Sequence, residues 1–87
     1  MLISGIYKIT NLITQDSYIG SSVNLKQRKN KHFCDLSNNK HFCLHLQRSY
    51  NKYGKENFSF EIIAKAPKEY LIKLEQWFLD SLKPVFN

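Results

Sequence analysis

Tyr7, Tyr18, Arg28, His32 and Glu75 are the side chains of this sequence whose types and spacing could do chemistry rather than only fill a core. Glu75 is the most telling of them. Counting roughly 100° per helical residue from Leu71, Leu82 falls near 20°, Phe78 near 340°, Leu79 near 80°, Ile72 near 100° and Leu74 near 300°, with Glu75 near 40° inside the apolar arc. A carboxylate that faces a core costs several kcal/mol unless it is paired or holds a cation. Two readings are open: a buried ion pair with Arg28 or a lysine, or a hard oxygen ligand for a divalent cation such as Mg²⁺. Arg28 and His32 stand four residues apart and share a helix face with Leu25 and Leu36, which predicts that both look inward or along an edge of the core. His32 then serves either as a hydrogen-bonded structural histidine or as a site residue. Arg28 and Arg48 are the only arginines among thirteen Lys and Arg, and the planar guanidinium is the cation suited to bidentate phosphate contacts.

The elements that must position these groups follow from periodicity. Residues 5–10 and 17–20 read as two strands rich in β-branched and aromatic side chains, joined by a hairpin loop at 11–16. A loop centred between Leu12 and Ile13 places Tyr7 opposite Tyr18 on the same face, where the bland role is packing of a half-buried aromatic pair. Asn24, with Gln27 three positions on, predicts a helix from Leu25 to about Phe33 or Leu36, broken by Ser37-Asn38-Asn39. A second helix is expected over 41–53, closed by Gly54. Alternation of Phe58, Phe60, Ile62 and Ala64 with Ser59, Glu61, Ile63 and Lys65 predicts a third strand, and Pro67 opens a last helix over about 68–82 before Pro84. The expected fold class is therefore a small α/β (α+β) layer, a three-stranded antiparallel or mixed sheet flanked by three helices in the order ββααβα.

Size and composition agree with a single domain over 1–87. A chain of 87 residues buries only about 60 to 65 percent of its unfolded surface. Its 43% hydrophobic and 14% aromatic content suffices for one modest core. Two cysteines, Cys34 and Cys43, define no disulfide framework. Met1-Leu2-Ile3-Ser4 has no basic region ahead of an apolar run, and no stretch reaches the roughly 18 apolar residues of a membrane span, so a soluble, intracellular chain with no membrane partner is expected. The net charge of +6 favours polyanionic partners, although eleven of the thirteen cations are Lys in a chain rich in Asn, Ile, Tyr and Phe, a bias that A/T-rich coding also produces.

Gly5-Ile6-Tyr7 and Tyr18-Ile19-Gly20, followed by Ser21-Ser22, Arg28, His32, Leu46-Gln47, Tyr53-Gly54, Phe58, Glu75-Gln76, Pro84 and Asn87, resemble the catalytic domain of the GIY-YIG nucleases over nearly the whole chain. The departures are Asn24 where an aspartate is usual and Phe86 where a tyrosine is common. The resemblance implies a DNA endonuclease that hydrolyses phosphodiesters with one divalent metal ion, Mg²⁺, with Mn²⁺ as a substitute. It implies that Glu75 holds the metal, Arg28 stabilises the transition state, Tyr7 activates water, and Tyr18, His32 and Asn87 orient the rest, while Gly5 and Gly20 mark close backbone approach. The pattern Ser21-Ser22, Leu46-Gln47, Asn51-Lys52-Tyr53-Gly54 and Glu75-Gln76 looks most like the intron-encoded homing endonucleases, which suits an organelle- or phage-encoded protein. The domain is then expected to be the N-terminal module of a longer protein whose DNA-recognition part is absent here, monomeric in isolation and without a protein partner.

Alternatives remain at this stage. The same scaffold could be a non-catalytic nucleic-acid-binding module, a repair- or restriction-type nuclease, or a small interaction domain. Arg48 and Lys52 on the second helix could contact DNA or belong to a solvated face. His32, Cys34, His41, Cys43 and His45 crowd together as zinc-type ligands, but their spacing puts neighbours on different sides of a helix and includes no Cys-x-x-Cys. The tetrapeptide Lys-His-Phe-Cys occurs at 31–34 and 40–43, too short and too close to be a structural repeat.

Overall fold

A computed structural model describes residues 3–87; Met1 and Leu2, which enter the expectations about the N-terminus and the 1–87 domain, lie outside the described residues. The chain runs β1 (Gly5–Asn11), β2 (Ser17–Ser22), α1 (Leu25–Ser37), α2 (Leu44–Tyr53), β3 (Phe58–Lys65) and α3 (Leu71–Leu82), with single 3₁₀ turns at Lys55–Asn57 and Lys68–Tyr70. The sheet order is β2-β1-β3 and both pairings are antiparallel, so the expected fold class holds and its antiparallel form is the one present. β1 is buried along almost its whole length because helices cover both faces of the sheet. Tyr7 and Ile9 face α1 and α2 in a cluster with Leu25, Leu36, Leu46, Tyr50, Phe58 and Phe86. Ile6 and Ile19 face α3 through Leu71, with Leu74, Phe78 and Leu79 packed alongside.

Several local expectations are corrected. Tyr7 pairs with Gly20 and Tyr18 pairs with Ile9, so the two tyrosines are diagonal neighbours on one face instead of direct partners. The cause is the turn: Asn11 Oδ1 accepts from the Ile13 and Thr14 amides and Gln15 adopts φ 66, which centres the loop one residue later. In β3 the alternation breaks at a bulge, where Ile6 pairs with Ala64 but Tyr7 with Ile62. Ile63 and Ala64 therefore pack under α3 while Ile62 is exposed. The second helix begins at Leu44, not near His41, because His41 and its neighbours spend their hydrogen bonds on side chains. Residues 68–70 form a 3₁₀ turn ahead of α3, and Ile72 points to solvent at 84% exposure, so the packed stripe of α3 is narrower than the apolar arc of the sequence. The capping of α1 by Asn24, whose side chain accepts from the Gln27 amide, is as expected.

Candidate active site

Gly20 decides where Tyr7 can lie. It sits opposite Tyr7, and a Cβ there would overlap the Tyr7 hydroxyl and the ring carbon that carries it. With hydrogen in that place the phenol lies across β2, its hydroxyl brought to the outer strand of the sheet. The ring is held from the other side by Phe60, stacked at 5.0 Å between centroids and 17° between planes. Tyr18, on the same face, has its ring centroid 6.5 Å from that of Tyr7. Gly5 has a different reason to be glycine: a Cβ there would overlap the Ala64 carbonyl oxygen at the bulge.

Behind Tyr7 lies a buried chain of hydrogen bonds. Tyr7 Oη is 2.6 Å from His32 Nε2, His32 Nδ1 is 2.7 Å from His41 Nε2, and His41 Nδ1 accepts from the Cys43 amide at 3.0 Å. His32 and His41 are 2% and 4% exposed. The His41 amide donates to Gln47 Oε1 at 3.0 Å, and Gln47 Nε2 donates to Leu36 O and Asn51 Oδ1. His41 is the site residue that sequence reasoning placed on a helix and weighed only as a zinc ligand. The available signal was the repeated tetrapeptide, whose two histidines stack at 4.9 Å. Their facing nitrogens bond each other, and among the described residues no group of three or more His, Cys, Asp or Glu is placed to hold a metal.

Glu75 reaches the site from the other face of the sheet. α3 packs on the Ile6 and Ile19 face, where Ser21 Oγ donates to Glu75 Oε1 at 2.6 Å. The carboxylate is half-buried rather than in the core, and the ion-pair reading does not hold: among the described residues the one salt bridge joins Lys31 to Asp35. Arg28 is exposed on α1 and not turned inward. Its charge nevertheless acts on Tyr7. Burial pushes the Tyr7 phenol well above its ordinary value, Tyr18 adds to this, Arg28 pulls it back down by charge and hydrogen bonding, and Glu75 raises it again. Tyr18 is raised by burial, then by Cys43 and Glu75, with Arg28 opposing. Arg28, Tyr7, Tyr18 and Glu75 therefore share one electrostatic neighbourhood around the Gly20–Ser21 end of β2. Arg28 thus opposes the effect of burial on the Tyr7 phenol, and burial outweighs it.

Asn87 orients backbone. Its Oδ1 accepts from the Ile19 amide at 2.7 Å and its Nδ2 donates to Ile19 O at 2.8 Å, while the Phe86 amide donates to Ser17 O. These two residues cover the outer edge of β2 from Ser17 to Ile19 as a further strand would, and fix the strand that carries Tyr18 and Gly20. Arg48 and Lys52 are exposed on α2, with Lys52 Nζ 5.3 Å above the Tyr53 ring, and no hydrogen bond among the described residues joins either to the tyrosine–histidine cluster. Cys34 is exposed, and Cys43 Sγ donates to Phe86 O.

The buried imidazoles make a stability prediction. Burial, then His41, then Arg28, hold His32 down at about 4 against an ordinary 6.5, and burial lowers His41 as well. An unfolded chain takes up a proton near 6.5 that folded His32 refuses until about 4, so stability present above 6.5 is lost as pH falls through that window, by up to about 3 kcal/mol for His32. The thermal midpoint, followed by circular dichroism from pH 7 to pH 4, is expected to fall steadily below pH 6.5; a flat profile would contradict two neutral buried imidazoles.

Comparison with known proteins gives this geometry its family. The family model of the GIY-YIG catalytic domain matches residues 3–87. The intron-associated endonuclease 1 of Enterobacteria phage T4 is 35% identical over 86 residues, which is 97% of this chain and 35% of that protein, so the chain spans about a third of the length of this relative. The structure of the catalytic domain of homing endonuclease I-TevI superposes with a TM-score of 0.86 at 34% identity, covering 92% of this chain and 88% of that one. The E75A mutant of the catalytic domain of intron endonuclease I-TevI superposes with a TM-score of 0.87 at 33% identity, over 94% and 86% of the two chains. Among the described residues no helix is long and apolar enough to cross a membrane.

Proposed function

The chain belongs to the GIY-YIG catalytic-domain family, and from that premise we propose that it is a DNA endonuclease domain of the homing type, hydrolysing phosphodiester bonds with one divalent cation. The observation that carries the reading is that Tyr7 lies against Gly20 on one face of the sheet while Ser21, the next residue of β2, holds Glu75 on the other, with the Arg28 charge acting on Tyr7. Among the described residues the half-buried Glu75 carboxylate has no counter-cation, and a cation ligand is the role that accounts for it. The residues fit a Mg²⁺ ion: Glu75 offers a hard oxygen, its Oε1 is oriented by Ser21, and among the described residues its Oε2 has no hydrogen-bond partner. One carboxylate is an ordinary protein contribution for this ion, which keeps several waters and takes further ligands from phosphate. Bound there, Mg²⁺ or Mn²⁺ would supply Lewis-acid stabilisation to the phosphate and to the departing 3′ oxygen.

The remaining work falls to side chains of this chain. Tyr7, once ionised, takes a proton from the attacking water as the new bond to phosphorus forms and the bond to the 3′ oxygen breaks, leaving 5′-phosphate and 3′-hydroxyl ends. Arg28 reaches from α1 to the charge that builds on the phosphate oxygens. Tyr18 stands beside Tyr7 as the positioner of water or phosphate, His32 holds the Tyr7 hydroxyl, and Asn87 holds β2. Cleavage of supercoiled plasmid at high enzyme concentration tests the whole proposal. Nicking is expected with Mg²⁺ or Mn²⁺, none with EDTA, and a loss of about 10³-fold in Arg28→Ala, the scale of one lost transition-state donor. Salt-sensitive DNA binding without metal-dependent cleavage would leave the scaffold as a binding module and overturn the proposal.

A further inference from the structure

Direction is fixed in the hydrogen-bond chain behind Tyr7, and it fixes what His32 can do. A backbone amide only donates, so His41 Nδ1, 3.0 Å from the Cys43 amide, is the bare nitrogen of its ring. In the neutral imidazole the proton then sits on Nε2, which faces His32 Nδ1 at 2.7 Å and must donate to it. That leaves the His32 proton on Nε2, facing Tyr7 Oη at 2.6 Å. The opposite sense would set an Nδ1–H of His41 against the Cys43 N–H, two donors with nothing between them. Both rings are buried, and burial disfavours the doubly protonated form that would escape this logic.

We propose that this relay runs in one sense only, from the Cys43 amide through His41 and His32 to the Tyr7 oxygen, and that His41 and Gln47 are positioning residues that set it. Gln47 is 5% exposed, takes the His41 amide on its Oε1, and is locked by its own bonds to Leu36 O and Asn51. It thereby holds the 41–43 turn in the shape that brings the Cys43 amide to the ring. Phe42 stacks on the His41 ring at 4.6 Å and covers it from the solvent side.

For the proposed nuclease reaction, on which this part of the inference rests, the consequence is definite. His32 cannot receive the Tyr7 proton, because its facing nitrogen already carries one. The phenol proton therefore leaves by a route other than His32, and the phenolate that remains is stabilised by the His32 N–H before it takes a proton from water. The charged and titratable groups around this chain are Arg28, Lys31 and Asp35 of α1, Tyr18 of β2, Glu75 of α3 and the Cys43 thiol. Of these, Arg28 and the relay oppose the burial that keeps Tyr7 protonated.

The test reads tautomers before it reads activity. Long-range ¹H–¹⁵N correlation on the labelled chain at pH 7, with His45→Gln used to assign the exposed third histidine, is expected to show His32 and His41 both as Nε2–H tautomers. An Nδ1–H form or an imidazolium at either position would overturn the proposal. The positioning role is read from the pH dependence of plasmid nicking. His41→Phe, and the milder Gln47→Met, are expected to move the rise of rate with pH upward by about one unit, a tenfold loss at fixed pH on that limb, with KM little changed. Replacing Tyr7 by a fluorotyrosine of lower phenol pKa is expected to move it back. A uniform loss at every pH would mark His41 and Gln47 as scaffold only and remove that half of the proposal. A parent chain that cuts no DNA while showing both Nε2–H tautomers would bear out the relay and refute the nuclease reading instead.

Discussion

Glu75→Gln is expected to abolish metal-dependent cleavage, by about 10³-fold or more, while leaving the fold and its stability unchanged. The substitution keeps the size of the side chain and keeps an oxygen to accept the Ser21 hydroxyl bond, so the one hydrogen bond that Glu75 makes among the described residues survives. What it removes is the negative charge. Because no cation among the described residues is paired with that charge, none is stranded by its loss, and the expected change in stability is within about 0.5 kcal/mol. An ion-paired carboxylate would behave oppositely, since breaking a buried pair costs about 3 to 5 kcal/mol. Nicking rates across a Mg²⁺ titration together with thermal midpoints separate the two. Lost activity at an unchanged midpoint identifies a cation ligand. A midpoint that collapses would show that Glu75 is structural, and retained activity would remove it from the site.

Glu75 also marks how far the sequence could be read. The period of α3 placed a carboxylate on its packed side, and that conflict with burial was visible without a structure because helical angles are nearly independent of context. The partner was not visible. Ser21 lies 54 positions away, and its proximity depends on α3 crossing the face of the sheet opposite to α1. Arg28 was left open between the inside and the edge of the core for a related reason: sharing a helix face with Leu25 and Leu36 says where its backbone sits, while a long side chain can still leave the core. Helix α1, capped by Asn24, and strand β3, bounded by its turn and Pro67, were legible because local signals fix them. The hairpin register was not, since one side-chain cap from Asn11 moved it by a residue on each strand. His41 shows the deepest limit. A residue in a loop carries no period, and its role appears only once His32, Gln47 and the Cys43 amide converge on it from two helices and a turn.

Gly20→Ala is expected to cost more activity than its single methyl group suggests, about 10²-fold, together with about 1 to 3 kcal/mol of stability. The added Cβ would occupy the space of the Tyr7 hydroxyl and its ring carbon. Tyr7 has no free rotamer to retreat into: it is 1% exposed, stacked on Phe60 and bonded to His32. Either the ring moves and the bond to His32 breaks, or β2 moves away from β1 and takes Tyr18 and the Ser21–Glu75 contact with it. Both routes misalign groups that must meet at one phosphate, yet neither dismantles the core beneath Ile9 and Leu46. Gly5→Ala supplies the contrast, because its Cβ would meet the Ala64 carbonyl, a backbone atom at the bulge that cannot rotate away. That variant is expected to lose the fold, whereas Gly20→Ala is expected to melt cooperatively with a lowered midpoint, to lose nicking, and to keep the His32 tautomer, which is set from the His41 side. A Gly20→Ala chain with full activity would mean that the close approach of Tyr7 to β2 has no part in the chemistry, and that the glycine serves strand packing alone.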